Sequence, residues 1–293
     1  MKRADLLTPL LIDPGLIPKL DLRDWDLLIR QARQSNLLGR LAALLAQRQL
    51  LSQVPDQPRA HLESSLAVAQ RQTQAVRWEV DRIEHALADI PPPIVLLKGA
   101  AYIMLQLPCA QGRLFSDVDI LIPRPHIEAA ELALKMNGWI TTLHDAYDQR
   151  YYRKWMHELP PMTHLTRQTF LDVHHTILPE TARLHPDPRK LIAAALPLAD
   201  HAGFTVLAPV DMLLHSATHL FHEGEFEKGL RDLSDLDILL RHFSQLDPDF
   251  WRKLLARAEE LELTRPLFYA LRYTTRILQS PVPPDVLQAV ARH

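Results

Sequence analysis

The chain has 293 residues, 47% of them hydrophobic, and a formal charge of −2 at pH 7. That content is enough for two or three packed units and excludes wholesale disorder. A sequence pI near 6.7 lacks the basic footprint of a general nucleic-acid binder, so nucleic acid is not an expected partner, whereas a small anionic ligand held by local cations is compatible.

Cys109 is the one cysteine, so neither an intrachain disulfide nor a cysteine-based zinc site can form. A reducing, cytoplasmic setting is the expectation. In MKRADLLTPLLIDPGLIPKLDLRDWD, Asp5, Asp13 and the prolines interrupt any long apolar run. This opening reads as neither a signal peptide nor a membrane span, and no membrane partner is expected. Fifteen histidines require metal binding to be weighed.

In chain order, residues 24–90 read as helical. DWDLLIRQARQSNLLGRLAALLAQRQLL places Leu27, Leu28, Ala32, Leu38, Leu41, Leu44 and Leu45 at near-helical spacing. RAHLESSLAVAQRQTQAVRWEVDRIEHALADI lacks Gly and Pro and predicts one long helix or two short ones, stopped by the prolines of IPPPIV. From Ile94 the pattern changes. IVLLKGAAY predicts a buried strand that breaks at Lys98-Gly99 into a turn, followed by a helix over 100–107. DVDILIP predicts a second strand closed by Pro123. PHIEAAELALKMNGW predicts a helix from Ile127, with Ala130, Leu134 and Met136 facing inward and Gly138 as the stop. Shorter strands are predicted at GWITTLH, around MTHLT and in QTFLDVHHTI. Past the proline-marked connection LPETARLHPDPRK, helical patterns resume at Pro209 and run through four segments. The expected organisation is an N-terminal helical region over 1–90, an α/β core over 91–178 and a C-terminal helical region over 179–293.

Two strings nearly coincide, SDVDILI at 116–122 and SDLDILL at 234–240. On a strand, residues i and i+2 share a face, so Asp117 and Asp119 project together while Val118, Ile120 and Ile122 pack behind them. Paired carboxylates repel each other, and a hard divalent cation such as Mg²⁺ relieves that repulsion. The second string lies where Leu230, Leu233, Leu236, Leu240 and Phe243 recur at helical spacing. In a helix, i and i+2 stand about 200° apart, so Asp235 and Asp237 cannot grip one ion. Asp232 and Asp235 share a face, read as a solvated or cap-like acidic edge that at most borders a site. A third carboxylate, Asp172, falls in the strand-like FLDVHH, on a face with Phe170 and His174.

LLKGAAY, GRLFSDVDILI, HELPPM and FLDVHHTI, in that order over about 94–178, resemble the DNA polymerase β-like nucleotidyltransferase superfamily. They are most similar to the bacterial family of uncharacterised nucleotidyltransferases. The resemblance implies an α+β fold, a small mixed β-sheet nucleotidyltransferase core flanked by N-terminal and C-terminal helical regions. It implies that Asp117 and Asp119 hold two Mg²⁺ ions, and that Asp172 binds the catalytic metal and assists in deprotonating the attacking hydroxyl. Lys98 and the Gly99 backbone would meet the phosphates of ATP or another NTP, with Arg113 as a phosphate clamp and Ser116 in the same nucleotide-binding group. The turn carries Gly99-Ala100 where the superfamily commonly has Gly-Ser; the closer family shows the Lys-Gly-Ala form.

The activity so implied is transfer of an NMP group, AMP from ATP, to an unidentified hydroxyl-bearing acceptor, a small molecule or a protein. The contrasting expectation is a non-catalytic nucleotide-binding or regulatory module that retains the fold. Two further features compete for chemistry. HSATHLFH sets His215, His219 and His222 on one helical face at a spacing compatible with a transition metal, although no Glu follows the first His as in zinc proteases. The dipeptide His144-Asp145 offers little support for a phosphohydrolase. His174 and His175 read as packing or supporting groups rather than ligands.

Overall fold

The computed structural model describes residues 5–141, 145–222 and 227–291. The chain opens with four helices: α1 (Leu7–Ile12), α2 (Leu22–Gln34), α3 (Leu38–Gln47) and α4 (Asp56–Ala86). Asp21 starts α2 through a capping box, its side chain accepting from the Asp24 amide at 2.8 Å while Asp24 accepts from the Asp21 amide at 3.2 Å. Leu7, Trp25, Leu28, Leu41 and Leu62 close a small core of their own. Of the two possibilities in the sequence, α4 is the single long helix, with 31 residues. At about 1.5 Å per residue it reaches from that small core, where Leu62 packs, to the sheet, where Val80 and Ile83 pack.

The middle of the chain alternates β1 (Ile94–Leu97), α5 (Lys98–Met104), β2 (Asp117–Leu121), α6 (Ile127–Met136), β3 (Trp139–Thr141), α7 (Ala146–Trp155), β4 (Met162–His164) and β5 (Phe170–His174). Then follow α8 (Pro188–Ala193), β6 (Leu196–Leu198), β7 (His201–Val206), α9 (Pro209–His222), α10 (Gly229–Leu246), α11 (Phe250–Glu260), α12 (Thr264–Leu278) and α13 (Pro284–Val290). The sheet order is β3-β4-β5-β2-β1-β7-β6. β2 runs antiparallel to β1 and parallel to β5, and β1 runs parallel to β7, so the sheet is mixed. All four residues of β1 are buried, as expected of a central strand covered on both faces. The fold is α+β, a mixed sheet flanked by helices.

Three sequence expectations change. No strand was expected beyond residue 178, yet β6 and β7 extend the sheet on the β1 side. Their signal is weak: only Phe204 and Val206 alternate inward, Gly203 interrupts them, and two of the three β6 residues are exposed. Met136, expected inside, ends α6 at 81% exposure, because the buried stripe is Ile127, Ala130, Glu131 and Leu134. α7 was not expected: its one stripe at helical spacing is aromatic, Tyr147, Tyr151 and Trp155, set among basic and polar residues. The strand expected at GWITTLH is present as β3; Thr142 to His144 lie outside the described residues, and with them the histidine of the His-Asp dipeptide.

Candidate active site

β1 ends at Leu97, which pairs with Asp119 across the antiparallel ladder. Lys98 follows with φ +42°, a left-handed conformation that costs a non-glycine residue about 1–3 kcal/mol. Its Nζ lies 3.1 Å from Asp119 Oδ1. Gly99 is required by close packing: a Cβ there would meet two Phe115 ring carbons at 2.5 and 2.8 Å and Arg113 Nη1 at 3.0 Å. The tight turn thus presents a lysine to the carboxylates.

The β2–β5 register sets Asp119 directly beside Asp172, with Asp117 one pleat away on the same face. Asp119 is buried; its Oδ1 accepts from Lys98 Nζ and from His174 Nε2, each at 3.1 Å. Burial pushes its carboxyl up, but Lys98 and the His174 hydrogen bond outweigh that and hold it well below the usual range. Burial and then the neighbouring Asp119 charge push Asp172 up to about 7. Burial would lower His174, yet its bond to Asp119 and the charge of Glu158 raise it. Ser116 donates its hydroxyl to Asp117 Oδ1 at 3.0 Å.

A cleft of about 260 Å³ opens over these residues, lined by Lys98, Gly99, Arg113, Ser116, Asp117 and Asp119 on one side. The opposite wall comes from the C-terminal helices, with Ser216 and His219 of α9 and Lys228, Arg231, Asp232 and Asp235 around α10. The cleft wall stops short of Asp172, one strand over.

Asp235 departs from its expected role. Its side chain is buried, not solvated, and is bonded to Arg40 at 2.5 Å and to Arg113 at 2.8 Å. Those two arginines overcome the burial penalty and hold its carboxyl below the usual range. Arg40 comes from α3 and also donates to Ser234 Oγ at 2.8 Å, tying the N-terminal helices to α10. Arg113, expected as a phosphate clamp, lines the cleft with its guanidinium committed to Asp235 and 4.7 Å over the Phe115 ring. Asp237 points elsewhere, to Arg241 at 2.8 Å and Ser280 at 2.6 Å. Sequence reasoning missed Arg40, whose signal was a charge set in the apolar run of α3.

The histidines divide. His215 is buried, and desolvation together with the Lys98 charge lowers it well below its ordinary value, whereas His219 reaches the cleft wall. Among the described residues, the group with three donor atoms all within 4.8 Å of one another is His157, Glu158 and His174, not the α9 trio. The three aspartates nonetheless suit a divalent ion by chemistry. They are hard oxygen donors on one sheet face, and the charge of Asp119 adds to burial in lifting Asp172.

A strand-borne carboxylate set on a mixed sheet, facing a lysine turn and closed over by helices, is consistent with a nucleotidyltransferase core. The chain belongs to the family of uncharacterised nucleotidyltransferases, whose family model covers residues 21–279. No curated protein and no solved structure matches it. The match extends well beyond 94–178, taking in the helices on both sides. Among the described residues, no helix is long and apolar enough to cross a membrane.

Proposed function

We propose that the chain transfers a nucleoside monophosphate, AMP from ATP, to a hydroxyl-bearing small molecule or protein in a cytoplasmic, Mg²⁺-dependent reaction. The observation that supports this most is the convergence of Asp117, Asp119 and Asp172 on one sheet face beside Lys98. Asp117, Asp119 and Asp172 would hold two Mg²⁺ ions. When bound, such ions neutralise the triphosphate and stabilise charge on the oxygens around the α-phosphorus during in-line displacement.

The chain's own residues supply the rest. Lys98, released from Asp119, meets a phosphate, and the Gly99 turn leaves the backbone close to it. Lys228 lies on the opposite wall beside Arg231, which is paired with Asp232 at 2.6 Å, with Arg113 and Ser116 at the cleft edge. The acceptor hydroxyl oxygen bonds to the α-phosphorus as the bridging oxygen leaves with pyrophosphate. Asp172 would take the hydroxyl proton.

The test is incubation with labelled nucleoside triphosphates, Mg²⁺ and a cell extract, following where label from the α-phosphate goes. Transfer to a discrete product is expected. Asp119→Ala reduces it about a hundredfold or more, the scale for removing one group that stabilises a transition state. Equal labelling by Asp119→Ala defeats the site assignment, and absence of Mg²⁺-dependent nucleotide binding defeats the enzyme reading.

A further inference from the structure

The segment after α7 runs antiparallel beside the end of β5. The Leu159 amide donates to the Val173 carbonyl and the His175 amide to the His157 carbonyl, each at 2.9 Å, and Glu158 bridges to His174. These backbone bonds place three side chains of metal-ligating type together. His157 and His174 are buried with their rings stacked at 5.2 Å, and Glu158 is largely covered. One donor atom from each lies within 4.8 Å of the others.

We propose that His157, Glu158 and His174 bind one first-row transition-metal dication at a site separate from the three aspartates. Two imidazoles and one carboxylate are a recurrent ligand set for Zn²⁺ and its neighbours, and they leave a position open for water. Around a tetrahedral zinc with ligands near 2.0–2.1 Å, donor atoms stand about 3.3 Å apart. His174 Nδ1 and Glu158 Oε2 already stand 3.3 Å apart. Bringing the third donor onto that spacing takes a contraction of about 1.5 Å at most.

The other ring nitrogen of His174 supports the same assignment. Its Nε2 faces Asp119 Oδ1 at 3.1 Å, so a metal on Nδ1 leaves Nε2–H to donate to a carboxylate. A ligating histidine usually has such a partner, which fixes its tautomer and ring orientation. The charge balance also favours a cation: Asp119, Asp172 and Glu158 converge on His174, while Lys98 is the nearby lysine that meets Asp119. The metal site stands on its own geometry; only its consequence, that His174 holds the Asp119 carboxylate oriented toward the cleft, rests on the nucleotidyl-transfer reading. His174 is in that sense a positioning residue.

The experiment uses the full chain, stripped with a chelator and titrated with ZnCl₂ by calorimetry, with Co²⁺ as a spectroscopic replacement. One equivalent of Zn²⁺ is expected to bind, and Co²⁺ to give visible bands of low coordination number. His157→Gln and Glu158→Gln each weaken binding tenfold or more. Asp117→Asn leaves Zn²⁺ binding unchanged while weakening Mg²⁺-dependent ATP binding, which separates the two sites. Should Asp117→Asn keep ATP binding while the Zn²⁺ results hold, the transfer reading falls and this site stands. Should His157→Gln fail to fold, the parent stoichiometry and Glu158→Gln decide, since Glu158 reaches solvent. A parent chain that binds no stoichiometric Zn²⁺, or a Glu158→Gln chain that binds it as tightly as the parent, overturns the proposal.

Discussion

Asp119 and Asp172 are the same residue type on adjacent strands, and their surroundings drive their carboxyls in opposite directions. Lys98 and His174 hold Asp119 ionised, and that charge, added to burial, lifts Asp172 to about 7. The linked stability follows in sign. The folded chain binds a proton at Asp172 that the unfolded chain releases near pH 4, so stability without metal falls as pH rises from about 4 to 7. The loss is up to roughly 4 kcal/mol, at about 1.4 kcal/mol per unit. Asp172→Asn mimics the protonated form, so in chelator it is expected to melt above the parent at pH 8 and near it only at about pH 4. Mg²⁺ then raises the parent's melting temperature at pH 8 and not the variant's. Parallel melting curves for the two chains across that range count against the assignment. Asp119 acts in the opposite sense: its contribution is present above pH 4 and lost only as pH falls further.

At the scale of elements, near-identical letters serve two structures. SDVDILI becomes β2, where alternation brings Asp117 and Asp119 together, and SDLDILL lies within α10, where Asp235 and Asp237 diverge. The helical period was legible from the leucines, of which Leu233, Leu236 and Leu240 are buried as read while Leu230 is half-buried. The burial of Asp235 was not legible, because Arg40 lies 195 residues away and Arg113 122 residues away. Asp235→Asn leaves two buried guanidiniums facing a neutral amide, and a loss of about 3–5 kcal/mol is expected. Arg40→Met costs less, since Asp235 keeps Arg113 and the methionine refills the volume. Urea midpoints at constant slope measure both, and equal losses contradict this account.

For the whole molecule, the two hydrophobic cores are joined rather than independent. α4 packs into both, Leu230 of α10 lies against both, and Arg40 carries the small core's helix onto Asp235. Unfolding is therefore expected as one transition, with calorimetric and van't Hoff enthalpies equal. Trp25 reports the small core and Trp139 the large one, so single-tryptophan variants retaining one or the other are expected to share a midpoint. Two separated midpoints show the cores to be uncoupled. The same joining matters for the cleft, because one wall is α5, β2 and the segment between them while the other is α9 and the start of α10.

By itself the sequence determined the elements whose signal is local: the helical character of the α4 stretch, the apolar β1, the strand alternation behind Asp117 and Asp119, and the break in β1 at Lys98-Gly99. Each follows from a period or a chain-stiffening residue read within a dozen positions. Only the tertiary structure decided that Asp172 stands opposite Asp119, that His174 links Asp119 to Glu158, that Asp235 is buried between two arginines, and that β7 borders β1. Those outcomes depend on strand register and on charges meeting across long stretches of chain. Burial there sets the energies, and no local periodicity encodes it.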